Sequence, residues 1–201
     1  MPSTPQVSYD ITHTLWKHCY EVSTPSRNQP LFYVENSHWT PGKPTLSFHE
    51  CHENGPIKAV ARLAKMSHSI DCGIGDPSDP AARIAYETMT NIGFMKVRYM
   101  FKVDRGRGPE TFLWKKTRSH GTGFSNNYKM VDDASQKVIA VFSSATNPFS
   151  PSKAGRLDIY GNYGERFNLM TLVTGIALHE KQRRVRAAAA AAGGGGGGGG
   201  A

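Results

Sequence analysis

The chain has 201 residues, of which 38% are hydrophobic and 20% are charged, and Lys and Arg outnumber Asp and Glu by 24 to 16. This composition excludes a wholly disordered chain and suits a single domain with its own core. No apolar run reaches the roughly 18 residues that a membrane-spanning helix needs, and residues 1–5 lack the features of a signal peptide. We therefore expect a cytoplasmic protein without a transmembrane segment.

Composition divides the chain into three segments. Residues 1–8 are predicted to be a flexible N-terminus, residues 9–186 a folded domain, and residues 187–201 a low-complexity Ala/Gly tail. The alanines of the tail can prolong a preceding helix until the first glycine stops it. Three cysteines without a CxxC spacing predict buried, reduced thiols rather than a disulfide framework.

Short strands separated by turn residues are predicted along most of the chain. The clearest is 95–103, where Tyr99 and Phe101 alternate with Arg98 and Lys102, followed by a turn at 106–109 and a second strand of a hairpin. In chain order the predicted strands are 14–22, 30–35, 45–51, 57–65, 82–88, 95–103, 111–116, 128–131, 138–142 and 156–160. About ten strands without an intervening helix predict a meandering antiparallel barrel or sandwich.

The last predicted element is a helix from about Glu165 to Arg184. Its apolar residues cover most of the helical circumference, whereas a surface helix would have one apolar stripe. It is too short to span a bilayer, so a closed sheet around it is the simplest way to bury it. Gly175 suggests close approach of a neighbouring backbone, and residues 181–186 would place cations at the helix C-terminus, where the dipole favours them.

Several segments together resemble the fungal branch of the tubby C-terminal-like superfamily, from about residue 94 to residue 186. They are Phe112-Leu113-Trp114-Lys115, residues 128–132, residues 137–142, and the closing 155–160 and 167–184. The resemblance implies a closed antiparallel β-barrel of about a dozen strands around a central hydrophobic C-terminal helix, with no enzymatic activity and no cofactor. Phospholipid scramblases and LURP-one-related proteins share this fold, but the acylated cysteine cluster or membrane-inserting end of scramblases is missing here, which counts against lipid translocation.

Tubby-like relatives bind phosphoinositides through basic residues on the barrel surface, but no stretch of this chain aligns with their lipid site. Local charge alone selects the candidate lipid-binding residues, which are Lys96, Arg98, Lys102, Arg105, Arg107, Lys181, Arg183 and Arg184. Strand alternation places the first three on one solvent-directed face. We expect peripheral binding to anionic membrane lipids. A protein-interaction module without a lipid role is the first alternative, and a nucleic-acid binder, supported by net charge alone, is the second.

The remaining short motifs in the sequence are better explained by strand ends and loops than by metal or catalytic sites. His49, Cys51 and His52 include metal-ligating residue types, but a strand would divide them between two faces, so a polar strand end before a turn is preferred over a metal site. The sequence contains no nucleophile elbow, phosphate loop or dinucleotide fingerprint, so no catalytic residue is predicted. Residues 147–149 match the Asn-Pro-Phe tripeptide that endocytic adaptors recognise, although a chance match is preferred.

Overall fold

A computed structural model gives the structure of the chain and describes residues 4–14, 19–26, 29–37, 43–64, 69–81, 84–93, 97–104, 106, 108–117, 127–145 and 153–193. These residues form twelve strands and one helix. The strands are β1 (Val7–His13), β2 (Tyr20–Ser23), β3 (Phe32–Asn36), β4 (Leu46–Glu50), β5 (Ile57–Leu63), β6 (Ile70–Ile74), β7 (Tyr86–Asn91), β8 (Arg98–Asp104), β9 (Pro109–Thr117), β10 (Asn127–Asp132), β11 (Val138–Ser144) and β12 (Lys153–Ile159), and the helix is α1 (Glu165–Gly193).

The strands form a closed antiparallel barrel with a simple meander. Each strand pairs with its neighbours in the chain, and β1 closes the ring by pairing with β12 from Val7 opposite Ile159 onwards. Closure leaves no sheet edge to protect. The predicted fold is confirmed. Two strands were not predicted, β1 and β6, and β1 includes Val7 and Ser8, which the sequence analysis assigned to the N-terminal segment.

Helix α1 runs through the barrel and is surrounded by it. All ten residues from Thr171 to Glu180 are buried, as the all-round apolar pattern predicts. The barrel side chains Trp114, Phe142 and Phe112 belong to the same core cluster as the helix. Trp114 also donates a hydrogen bond from Nε1 to Oγ1 of Thr174 over 3.1 Å, which satisfies both polar groups inside the core.

The structure corrects two details predicted for the helix. A Cβ atom on Gly175 would meet the side chains of Phe142 and Trp114 at 3.5 Å, an ordinary contact, so no close backbone approach explains this glycine. The helix continues through the alanines to Gly193 and has no basic residue in its last turn. The cations at 181–186 therefore lie within the helix rather than at its C-terminus, too far from the helix end for the dipole to stabilise them.

The cysteines and His49 lie in or next to ordinary strands and turns. All three cysteines are free, and Cys19 and Cys72 are buried, but Cys51 is exposed, contrary to the prediction. Strand β4 ends at Glu50, and a turn follows in which Cys51 has a φ of 61°. The ring of His49 is tied to this turn through Nδ1, which lies 2.9 Å from the carbonyl oxygen of Gly55.

The two ends of the barrel differ in chemistry and are named here by the direction of the helix. At the proximal end, α1 begins beside Asp104 of β8. At the distal end, Lys181 of α1 donates a hydrogen bond to the carbonyl oxygen of Ser69, just before β6, and its Nζ lies 5.9 Å from the ring centre of Tyr99 on β8. Residues at the distal end therefore surround the point at which the helix leaves the barrel.

Candidate functional site

Three cations form a row across the outer surface near the distal end. In the register of the sheet, Arg98 on β8 lies opposite Lys115 on β9, and Lys115 lies opposite Lys129 on β10. Residues directly opposite on antiparallel strands have Cβ atoms about 5 Å apart and point to the same face. Tyr99 and Trp114, adjacent in sequence, are buried in the core, so the three cations point outward. We call Arg98, Lys115 and Lys129 the basic row.

The basic row lacks acidic partners. In the parts of the chain that the structure describes, no ion pair joins any of its members to Asp or Glu, and the polar contact of Lys115 is a 3.1 Å hydrogen bond from Nζ to Oε1 of Gln136. Like charges directly opposite each other on neighbouring strands destabilise a sheet, on a scale of a few tenths to about 1 kcal/mol per pair. The row is therefore an electrostatic cost to the fold that an anionic ligand would offset.

Apolar side chains lie next to the basic row on the same outer surface. One step towards the proximal end, Met100, Leu113 and Val131 face each other across the same three strands. Leu113 and Val131 are buried, with 1% and 3% exposure, although they point away from the barrel core. The cationic groups of the row thus stand beside a low-dielectric patch, and attraction to an anion is stronger there than over a fully hydrated surface.

The predicted cations of the helix have partners inside the fold. Glu180 is fully buried and accepts hydrogen bonds from Arg183 Nε at 2.7 Å, Arg184 Nε at 2.6 Å and the hydroxyl of Tyr20 at 2.5 Å. Arg184 also donates to Oδ1 of Asn36 over 2.7 Å. These contacts fasten the helix to β2 and β3 at the distal end.

The ionisation of Glu180 follows from the same contacts. Burial raises the pKa of its carboxyl group, but the hydrogen bonds from Arg183, Tyr20 and Arg184 outweigh burial and bring the pKa down to about 2. Glu180 is therefore a carboxylate at neutral pH, and two guanidinium groups are committed to it. Lys181, held by Ser69, has its pKa lowered by burial. These three cations hold the helix in place, whereas the basic row faces solvent.

Of the remaining residues predicted to bind lipid, one is described by the structure and three are not. Lys102 lies on the same outer face as Arg98 and is exposed, but it is four residues away, about 13 Å along the strand, and pairs with Thr111. Lys96, Arg105 and Arg107 lie outside the described residues, as does the tripeptide at 147–149. Two members of the basic row, Lys115 and Lys129, were not among the predicted site residues.

The described part of the chain contains no group of three or more His, Cys, Asp or Glu side chains placed to hold a metal ion. Within that same part, no helix combines the length and the apolar character needed to cross a bilayer.

Comparisons with protein-family models, with curated proteins and with solved structures found no match to the chain.

Proposed function

We propose that this domain is a non-enzymatic, tubby-like binding module that attaches peripherally to anionic phospholipid membranes through the basic row. The observation that carries the proposal is the row itself, in which Arg98, Lys115 and Lys129 oppose one another on adjacent strands without an acidic partner in the described chain. A phosphate or carboxylate headgroup supplies the missing counter-charge. The closed twelve-stranded barrel around a C-terminal helix is the architecture that the sequence resemblance implies, and it supports the family assignment.

The expected strength of attachment is modest. Each cation near an anionic bilayer contributes about 1 kcal/mol, so the row contributes about 3 kcal/mol, or roughly a hundredfold in affinity. Lys116 and Arg186, both exposed near the distal end, add to the positive field there. Such an interaction is screened by salt, because exposed charges separated by more than about 8 Å interact little at physiological ionic strength.

The neighbours of the row favour lipid over nucleic acid. Single-stranded nucleic acids are held by aromatic platforms that stack on the bases as well as by cations. The outward side chains next to the row are Met100, Leu113 and Val131, none of which is aromatic. This face therefore offers cations to phosphate groups, but these neighbours provide no ring on which a base could stack.

Vesicle co-sedimentation of the whole chain tests the proposal. Vesicles containing phosphoinositide, phosphatidylserine or only neutral lipid would be compared at low and physiological salt. Pelleting with anionic vesicles at physiological salt supports the proposal, and preference for phosphoinositide over phosphatidylserine at equal charge indicates headgroup recognition. Absence of pelleting with all three lipids would overturn it and favour a protein-interaction module instead.

A further inference from the structure

The regular pairing between β7 and β8 is short and does not reach the proximal end of the barrel. Both strands are described over their full length, yet they pair only at Thr90 with Met100 and at Asn91 with Tyr99. Strand β8 pairs with β9 along seven residues, as far as Asp104 opposite Pro109. Towards the proximal end, the regular ladder between β7 and β8 stops at Thr90 and Met100, although the two strands remain neighbours in the closed barrel.

A cavity of about 310 Å³ lies at this end of the two strands, beside the first turns of the helix. It is lined by Ala85, Glu87, Val103, Asp104, Tyr163, Arg166, Phe167 and Met170. Its volume is at the lower end of the range for small-molecule sites, and such sites are common at the mouths of barrels. The apolar side consists of Val103, Phe167 and Met170, and the ring of Tyr163 packs on that of Phe167 with centres 5.0 Å apart.

Glu87 is the group that distinguishes this cavity from an ordinary surface depression. It lies two residues before Met89, which is buried in the core, so strand alternation turns its carboxyl group towards the barrel interior. In the described part of the chain, the carboxyl group of Glu87 forms no hydrogen bond or ion pair, although its backbone pairs with β6 opposite Cys72. Burial raises the pKa of the Glu87 carboxyl group, Arg166 lowers it, and Asp104 raises it. Glu87 is half-buried, and its carboxyl group faces the cavity without a donor from the described chain, so the donor of a ligand can reach it.

The charges and rings around Glu87 indicate the kind of ligand. Two carboxylates face one guanidinium in the cavity, so its net charge is negative although the whole chain is basic. A positively charged ammonium group would pair with Glu87 and lie against aromatic rings, which attract cations. The apolar side of the cavity would cover a short hydrocarbon chain. We propose that this cavity binds a small organic ammonium compound, with Glu87 accepting its hydrogen bonds and Tyr163 and Phe167 enclosing it.

The proposal does not depend on the proposed function, because the cavity and the basic row lie at opposite ends of the barrel. Isothermal titration calorimetry of the whole chain at pH 7 tests it with three probes of equal chain length: hexylammonium, hexanol and hexanoate. Hexylammonium is expected to bind at least about tenfold more tightly than hexanol, since a hydrogen bond to a charged group contributes that much, and hexanoate most weakly. Equal binding of the three probes, preference for hexanoate, or no binding of hexylammonium at millimolar concentration would overturn the proposal.

Variants connect the binding to the cavity. Glu87→Gln should reduce hexylammonium affinity to that of hexanol, whereas Glu21→Gln, which removes the same charge from an exposed site on β2, should leave it unchanged. Ala85→Trp adds a large ring at an exposed position of the cavity wall and should block all binding while the thermal melting temperature stays that of the wild type. Wild-type affinity in Glu87→Gln, or in a folded Ala85→Trp variant, would contradict the assignment.

Discussion

Acid should destabilise this barrel through one buried histidine. His179 lies on the helix at 7% exposure, with its ring centre 5.1 Å from that of Phe142 and 6.3 Å from those of Tyr20 and His13. Its Nδ1 is buried without a hydrogen-bonding partner. Burial, reinforced by His13, lowers the pKa from 6.5 to about 4, although Glu180 opposes the shift.

The sign and size of the effect follow from this pKa. Between pH 6.5 and pH 4 the unfolded chain binds a proton at residue 179 that the folded chain does not bind, so stability falls as the pH falls through this window. At 1.36 kcal/mol per pKa unit, the whole shift corresponds to about 3 kcal/mol. By pH 4.5 roughly 2 kcal/mol of this has been lost. The window lies above the pKa of about 2 of Glu180, whose carboxylate remains charged throughout.

Urea denaturation at pH 7.0 and pH 4.5 measures the effect. Between these two pH values the wild type should lose about 2 kcal/mol more unfolding free energy than His179→Leu, which cannot be protonated. His52→Leu, which removes an exposed histidine, should respond to pH as the wild type does. If the wild type and His179→Leu lose the same unfolding free energy, the histidine is not held neutral by burial and the reasoning is refuted.

Three further substitutions test the packing of the helix. Leu172→Asp places a charge at a fully buried position and should prevent folding, as measured by circular dichroism. The control Leu172→Met should lower the unfolding free energy by less than about 1.5 kcal/mol. A soluble Asp variant with the wild-type melting temperature would contradict the buried helix. Gly175→Ala places a methyl group in ordinary contact with Phe142 and Trp114 and should raise stability by up to about 1 kcal/mol in thermal melts; a lower melting temperature would mean that these rings cannot accommodate it. Glu180→Ala leaves two guanidinium groups without their carboxylate and should lower the unfolding free energy, measured by urea titration, by about 3 to 5 kcal/mol. A loss below about 1 kcal/mol would show that the buried ion pairs contribute little to stability.

The fold could largely be predicted because two periodicities are strong in this sequence. The alternation in β8 and the all-round apolar pattern of α1 are both reflected in the observed burial. Of the two strands that were not predicted, β1 alternates Val7, Tyr9 and Ile11 with polar residues and could have been predicted from this period of two, whereas the pattern of β6 is weaker. Strand β6 is short and contains Gly73, where a Cβ atom would lie 2.5 Å from the side chain of Ile84, so the glycine is needed for close packing and interrupts the strand pattern.

The candidate sites depend on relations that a linear sequence does not contain. Alternation correctly placed Arg98 and Lys102 on the outer face. However, only the pairing register brings Lys115 and Lys129, fourteen residues apart, to opposite positions. In the helix, Arg183 and Arg184 were predicted as lipid-binding residues from local charge alone, whereas the structure pairs both with a buried carboxylate. Their partner Glu180 lies three and four residues earlier in the sequence, but its complete burial follows from its place inside the closed barrel.

The short pairing between β7 and β8 could not be predicted from the sequence either. Strands β7 and β8 are both regular, and their partial pairing depends on how β7 follows β6. The inward direction of Glu87 could have been deduced from Met89, had the strand been assigned through residue 89 rather than ended at 88.

The most direct test of membrane attachment compares two variants with the same change in net charge. In the row variant, all three residues of the basic row are replaced by Glu, which keeps the row like-charged and so preserves its cost to folding. The control variant reverses three exposed cations on or beside β4 and β5, namely Lys43, Lys58 and Arg62. With phosphatidylserine vesicles at physiological salt, the row variant should remain in the supernatant while the control variant pellets. If both variants pellet alike, or both fail to pellet, attachment depends on net charge or on another surface, and the basic row is not the binding site.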